Sequence, residues 1–168
     1  KRAYCLKTQP ATGETYPKSD LFNKAPPATD EEIVALEQAL SVILPADFVA
    51  FMKIHNGQRG MSHGLFDDCE FLSTSRILQE WRVWKDLLDG GDFDGAESCP
   101  QSGIRSEWWN PSWIPFTYNG AGDHLCLDLA PTDAGIRGQI ITLWHDDGER
   151  RKQADSFSDW LRQYVEQI

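Results

Sequence analysis

The sequence predicts an α+β fold: a largely antiparallel meander sheet flanked by an N-terminal helix pair, a central helix and a C-terminal helix. Three observations carry that reading. Between Trp108 and Arg151 lie three short apolar runs, Trp113 to Thr117, His124 to Leu129 and Gln139 to His145, each bounded by Gly, Pro, Asn or Asp. Runs of that length with that punctuation are strands and turns. On either side, apolar residues recur at helical spacing behind recognisable caps. Seven Trp and eight Phe are also more aromatic surface than a disordered chain carries.

Taken in order, residues 1–28 are polar and rich in Pro and Thr. They read as an N-terminal extension, either draped on the domain through Leu21 and Phe22 or left as a flexible tail. Residues 29–168 read as a single domain, and 168 residues bury roughly 70% of their unfolded surface, enough for a core of their own. Thr29-Asp30-Glu31-Glu32 is a capping box, and Ile33, Leu36 and Leu40 follow at helical spacing. Pro45 opens a second helix at its first turn, marked by Phe48, Phe51, Met52 and His55 and stopped by Asn56-Gly57. Leu65-Phe66 and Phe71-Leu72 are short strands around Asp67-Asp68. Ser73 or Thr74 caps the central helix, which carries Ile77, Leu78, Trp81, Trp84 and Leu88 to Gly90-Gly91. Residues 90–107 read as a surface loop.

In the central stretch, His124 to Leu129 alternates polar and apolar, so Leu125, Leu127 and Leu129 share one face and Cys126 takes the other. That is the period of a half-buried strand. Asp147-Gly148 offers positive φ for a hairpin that returns the chain through residues 149–153. Ser156 starts the last helix, with Phe157, Trp160, Leu161, Tyr164, Val165 and Ile168 on one face.

The formal charge of −10 and pI near 4.7 disfavour nucleic acid and anionic membranes and suit a basic protein partner. No run approaches the ~20 apolar residues of a membrane span. Cys5, Cys69, Cys99 and Cys126 show no C-x-x-C spacing, so buried reduced thiols in a cytoplasmic protein are expected. The start, Lys1-Arg2-Ala3, has neither Met nor a signal-peptide apolar region, which fits a trimmed chain.

Little in the chain reads as chemistry. No G-x-S-x-G is present, and Cys126 lies inside a strand. His145-Asp146-Asp147 with Glu149, or Asp123-His124, could offer metal ligands, but Asp146-Asp147-Gly148 is first of all turn chemistry. Asp92-Phe93-Asp94-Gly95 lacks the later ligands of a calcium loop. Asn119-Gly120-Ala121-Gly122 precedes a strand, so no helix N-terminus backs a phosphate. No cofactor, no metal and no catalytic residue are expected. Trp108, Trp109 and Trp113 could form a sugar-stacking platform; a core role is preferred for Trp109 and Trp113, pinned by Pro111 and Pro115, and Trp108 stays open.

One resemblance adds to this. WWNPSWIPF, then NGAGDHLCLDLAP, GQIITLWHDDGER and SFSDWL, preceded by E-E-I-x-x-L-E-x-x-L…L-P-x-D-F-x-x-F-x-x-x-H-N-G, is similar to the signature of the SUKH superfamily. That group includes Smi/Knr-type fungal cell-wall regulators and many bacterial immunity proteins. Trp109, Pro111, Trp113, Pro115, Gly122, Asp123, Asp128, Gly138 and Gln139 match the motif and are expected to be mainly structural. The resemblance implies a non-enzymatic protein-binding module. A cytoplasmic immunity protein that neutralises a cognate toxin by stoichiometric binding is the first reading; a Smi/Knr-like regulatory scaffold in cell-wall synthesis or signalling is the alternative. Asp67, Asp68, Asp92, Asp94, Glu107, Trp108, Asp146, Asp147 and Glu149 are the candidate partner-binding residues, offering negative potential to a basic surface.

Overall fold

The structure is a computed structural model that describes residues 25–59 and 64–167. Expectations for Cys5, Leu21, Phe22 and Ile168 lie outside the described residues. Helix α1 (Asp30–Leu40) starts at the anticipated box: Thr29 Oγ1 accepts the Glu32 amide at 3.1 Å, and Glu32 Oε2 accepts the Thr29 amide at 3.0 Å. Such a cap is worth about 1 kcal/mol. Helix α2 (Ala46–Met52) has Pro45 as the residue before it rather than inside its first turn. It also ends short of Asn56-Gly57.

Strand β1 (Glu70–Phe71) and helix α3 (Thr74–Asp89) follow, with the Ser73 side chain capping α3. Asn56 joins the two halves of this region. Its Oδ1 accepts the Thr74 amide at 2.8 Å while its Nδ2 donates to Glu32 at 3.2 Å. The side chain that ends one helix region thus holds the starts of two others. Arg76 on α3 donates to both oxygens of Glu70, at 2.8 and 2.9 Å, and to Glu80 at 3.0 Å. The half-buried fork explains how Glu70 can be buried on β1.

Four strands, β3 (Trp113–Pro115), β5 (His124–Asp128), β6 (Gln139–Leu143) and β8 (Lys152–Ala154), form an antiparallel sheet in the order β3-β5-β6-β8. Each strand pairs with the next in chain order apart from two short ones that leave the sheet. Pro115 has no amide hydrogen to give a ladder, and β3 is an edge strand, where that is tolerated. Strand β4 (Thr117–Tyr118) leaves to pair with β1. Strand β2 (Cys99–Pro100) and strand β7 (Glu149–Arg150) pair in parallel, so the 90–107 segment is docked on the hairpin rather than loose. Helix α4 (Phe157–Glu166) packs on α2, β6 and β8.

Three details depart from the sequence reading. Strand β5 is buried on both faces, with Cys126, Leu127 and Asp128 inaccessible and only Leu125 partly exposed; the ring of Trp84 on α3 packs against His124 and covers the polar side. The turn before β7 does not use positive φ at Asp147 or Gly148. Side chains close it instead: Asp147 Oδ1 accepts the Glu149 amide at 2.8 Å, and Arg150 Nη1 donates to the Asp147 carbonyl at 2.5 Å. Of the three described cysteines only Cys126 is buried; Cys69 is half-buried and Cys99 exposed. The core is aromatic: Phe48, Phe116 and Phe157 meet edge to face at 5.0 to 6.1 Å, each burial worth roughly 1.5–3 kcal/mol.

Candidate functional site

Two regions gather aromatic and polar side chains. The first is a corner built around Arg150. Its guanidinium is fully buried and, among the described residues, has no carboxylate partner, donating to the carbonyls of Trp108 (2.7 Å), Asp147 (2.5 Å) and Glu149 (2.9 Å). The rings of Trp108 and Trp113 lie 5.0 and 5.9 Å from it, and cation–π attraction replaces part of the lost hydration. Burial pushes its pKa down. Arg150 therefore joins the hairpin tip to the loop bearing Glu107 and Trp108. Beside Trp108 and Glu107 opens a hollow of about 320 Å³ whose wall includes Phe93, the residue between Asp92 and Asp94.

The second region is a cleft of about 320 Å³ between the β4–β5 turn and α4. Its polar rim is held by Asp123. The Asp123 carboxylate accepts the His145 ring Nδ1 at 2.8 Å, the His145 amide at 3.0 Å and Asn119 Nδ2 at 2.8 Å. Partial burial works to raise the Asp123 pKa, but these hydrogen bonds outweigh it and hold it below the usual carboxylate value; Asp123 raises that of His145 in turn. Gly122 (φ 104°) leaves room for the His145 ring, which a Cβ would approach to 3.0 Å. His124 is buried; its Nδ1 lies 2.8 Å from the Thr117 carbonyl, so Nδ1 carries the proton, and burial drives the pKa down to about 4. The imidazole is neutral at pH 7.

The candidate residues from the sequence fall into separate places. Trp108, Asp147 and Glu149 come together at the Arg150 corner through their carbonyls, and Glu107 lines the adjoining hollow with Trp108 and Phe93, while Asp92 and Asp94 are not among its lining residues. Asp67 and Asp68 are not with them. They form an exposed turn with φ of 48° and 66°, and Asp67 borders the cleft. Asp146 sits with Asp123 and His145, their potential ligand atoms within 4.8 Å of one another. That grouping differs from the sets weighed from sequence, since neither Glu149 nor His124 belongs to it, and the Asp123 oxygen is already engaged by His145.

Among the motif residues, Trp109 and Trp113 are buried and unable to form an open stacking platform. The Pro111 carbonyl accepts the Trp81 indole N–H at 2.8 Å. Asp128 and Gln139 face each other at the end of the β5–β6 ladder, both inaccessible, with Gln139 Nε2 donating to Asp128 at 2.8 Å and to the Gly103 carbonyl at 3.0 Å. Burial raises the Asp128 pKa against those hydrogen bonds. Gly138 (φ 92°) gives its amide to the Asp128 carbonyl at 2.8 Å. Trp144, on the cleft wall just past β6, lies in the run Gln139 to His145 that the sequence reads only as a strand, so its place in the cleft is not visible from sequence.

The SMI1 / KNR4 family (SUKH-1) model matches residues 27–163. The chain belongs to that family. Relatives of this SMI1/KNR4 chain include the "Cell wall biosynthesis/cell cycle regulator smi1" of Schizosaccharomyces pombe, 28% identical across 80% of this chain. The "Cell wall assembly regulator SMI1" of Saccharomyces cerevisiae is 23% identical across 84%. The "Glucan synthesis regulatory protein" of Neurospora crassa is 25% identical across 92%. The match spans 29%, 35% and 36% of those three proteins, so the chain corresponds to about a third of each. Among the described residues no helix is long and apolar enough to cross a membrane.

Proposed function

We propose that this chain is the protein-binding module of a cell-wall regulator, acting by occupancy of a partner and not by turning over a substrate. The carrying observation is the family match together with relatives named as regulators of cell-wall biosynthesis, cell-wall assembly and glucan synthesis. These names favour the regulatory scaffold over the immunity protein put first from sequence. The module meets its partner at the Arg150 corner, where Trp108 supplies an aromatic anchor and Glu107 supplies negative charge beside Asp147, which closes a turn, and Glu149, which is paired with Arg151. A basic, intracellular protein surface fits that chemistry.

The test is a domain exchange in Schizosaccharomyces pombe. This chain replaces the matching third of smi1, and cell-wall integrity is scored by survival on a wall-digesting enzyme. The parent chimera is expected to restore growth, while Trp108→Ala with Glu149→Lys is expected to fail at equal protein level. A chimera as inactive as the deletion, or a double variant as active as the parent, removes the reading.

A further inference from the structure

We propose that the cleft between the β4–β5 turn and α4 is a binding site for a neutral saccharide, one or two hexose rings long. The proposal stands on the cleft's own side chains and does not depend on the regulatory reading.

An unused ring comes first. Among the described residues, Trp81 and Trp84 each contact the Trp109 ring, Trp108 and Trp113 flank Arg150, and Trp160 stacks on Tyr164. Trp144 has no such ring or cation partner and gives no hydrogen bond to a described residue, yet it lines the cleft half-exposed. Its flat apolar face is the surface on which the C–H face of a pyranose lies. Unused amides come second. Gln153 on β8 and Gln163 on α4 line the same cleft, and their side-chain amides make no hydrogen bond within the described residues. Each offers two donors and an acceptor oxygen, the pattern that grips neighbouring hydroxyls.

Charge and size narrow the class. Among the described residues no Lys or Arg lines the cleft, and Asp123 on its rim is already paired with His145, so those residues hold no cation ready for a phosphate or carboxylate. The buried His124 adds no positive charge at neutral pH. A quaternary ammonium ligand would need an aromatic cage; Trp160 and Tyr164 instead stack on each other at 5.8 Å and 28°, which leaves Trp144 as a single platform. A volume of about 320 Å³ lies at the small end of ligand pockets, and a helix about 10 Å across does not enter it.

The test titrates the full chain with cellotriose, laminaritriose, maltotriose and chitotriose by calorimetry and tryptophan fluorescence. Glucose 6-phosphate and tetramethylammonium serve as charged controls. At least one neutral trisaccharide is expected to bind saturably and to shift the Gln153 and Gln163 side-chain amide resonances. Trp144→Ala is expected to weaken it tenfold or more, Trp144→Phe less, and Gln163→Ala severalfold, with circular dichroism and melting temperature unchanged as the folding check. Should Trp144→Ala unfold, Gln163→Ala and the amide shifts carry the decision. Saturation by none of the four sugars, tighter binding of either charged control, or amide shifts confined to other residues overturns the proposal.

Discussion

Acid should destabilise this fold through His124, by an amount that can be worked out. The ring is 4% exposed, pinned by the Thr117 carbonyl, stacked on Tyr118 at 5.2 Å and edge-on to Trp84 at 6.2 Å. Burial lowers its pKa to about 4, whereas in the unfolded chain it titrates near 6.5. The stability from neutral His124 is therefore present above pH 6.5 and is lost as pH falls toward 4, because the unfolded state takes up a proton that the folded state refuses. With those two values, about 2 kcal/mol disappears between pH 7 and pH 5 and about 3 kcal/mol by pH 4. For a chain of this size that is a drop of roughly 4–8 °C in melting temperature by pH 5.

The matching variant is His124→Asn, whose amide nitrogen takes the place of Nδ1 and keeps the donor to Thr117 without titrating. Losing the ring contacts costs about 1–3 kcal/mol at every pH. The gap between parent and variant, measured by urea unfolding at pH 7, 6 and 5, is expected to narrow by about 2 kcal/mol across that range. His145 titrates in the opposite sense, but it is present in both proteins and largely cancels in the difference. A gap that stays constant between pH 7 and 5 would refute the assignment of the acid limb to His124. So would an imidazole resonance for His124 titrating near 6.5.

Three further outcomes are expected. Arg150→Ala strands the carbonyls of Trp108, Asp147 and Glu149 and should cost about 3 kcal/mol or more in denaturant unfolding; Arg150→Lys, lacking the fork, should recover only part of it. Asp123→Asn should bring the His145 pKa, read by NMR titration, down toward its ordinary value, with Asp146 still working to raise it. The parent pair's contribution is complete only between the ordinary Asp and His values: it fades above that window as pH passes the raised His145 pKa, and below it as pH passes the lowered Asp123 pKa. Gly122→Ala places a Cβ 3.0 Å from the His145 ring at φ 104° and should lower stability by about 1–3 kcal/mol; adding His145→Ala should relieve the contact but not the backbone strain, so an unimproved double variant would place the whole cost in the backbone.

Local signals were readable in the sequence wherever one residue type has one dominant use. Thr29 with Glu32, and Ser156 ahead of Phe157, are caps that need no tertiary information, and both are where the chain shows them. The strand runs around Trp113, Leu125 and Ile141 were equally plain. What stayed hidden were the partners of polar residues at long range. Nothing near Arg150 in sequence announces that it is buried under Trp108, 42 residues away. Asn56 reads as a helix stop because Asn-Gly usually is one; that it bridges Glu32 and Thr74 is visible only after folding. Trp144 was absorbed into the apolar run before it, since all five residues of β6 are buried and the run gives no period from which to see that the next side chain emerges into a cleft.

The acidity of the chain is the feature most changed by folding. Read as a string, −10 looks like one steering surface, yet many carboxylates are occupied locally. Glu32 caps α1, Glu37 accepts the Leu44 amide, and Asp47 accepts from Phe48 and Ser158. Glu70 is clamped by Arg76, Asp128 is sealed in the core, and Asp147 closes a turn. A carboxylate already bound to backbone amides is fixed in place and partly neutralised, so it adds less to a distant field than its formal charge suggests. Counting acids therefore overstates the patch and says little about where a partner sits. The half-buried aromatics are the better guide, because a large apolar face left partly open loses hydration gain that a ligand can restore. On that ground Trp108, beside its acids, is the proposed place for a protein, and Trp144, beside its glutamines, the proposed place for something small and uncharged.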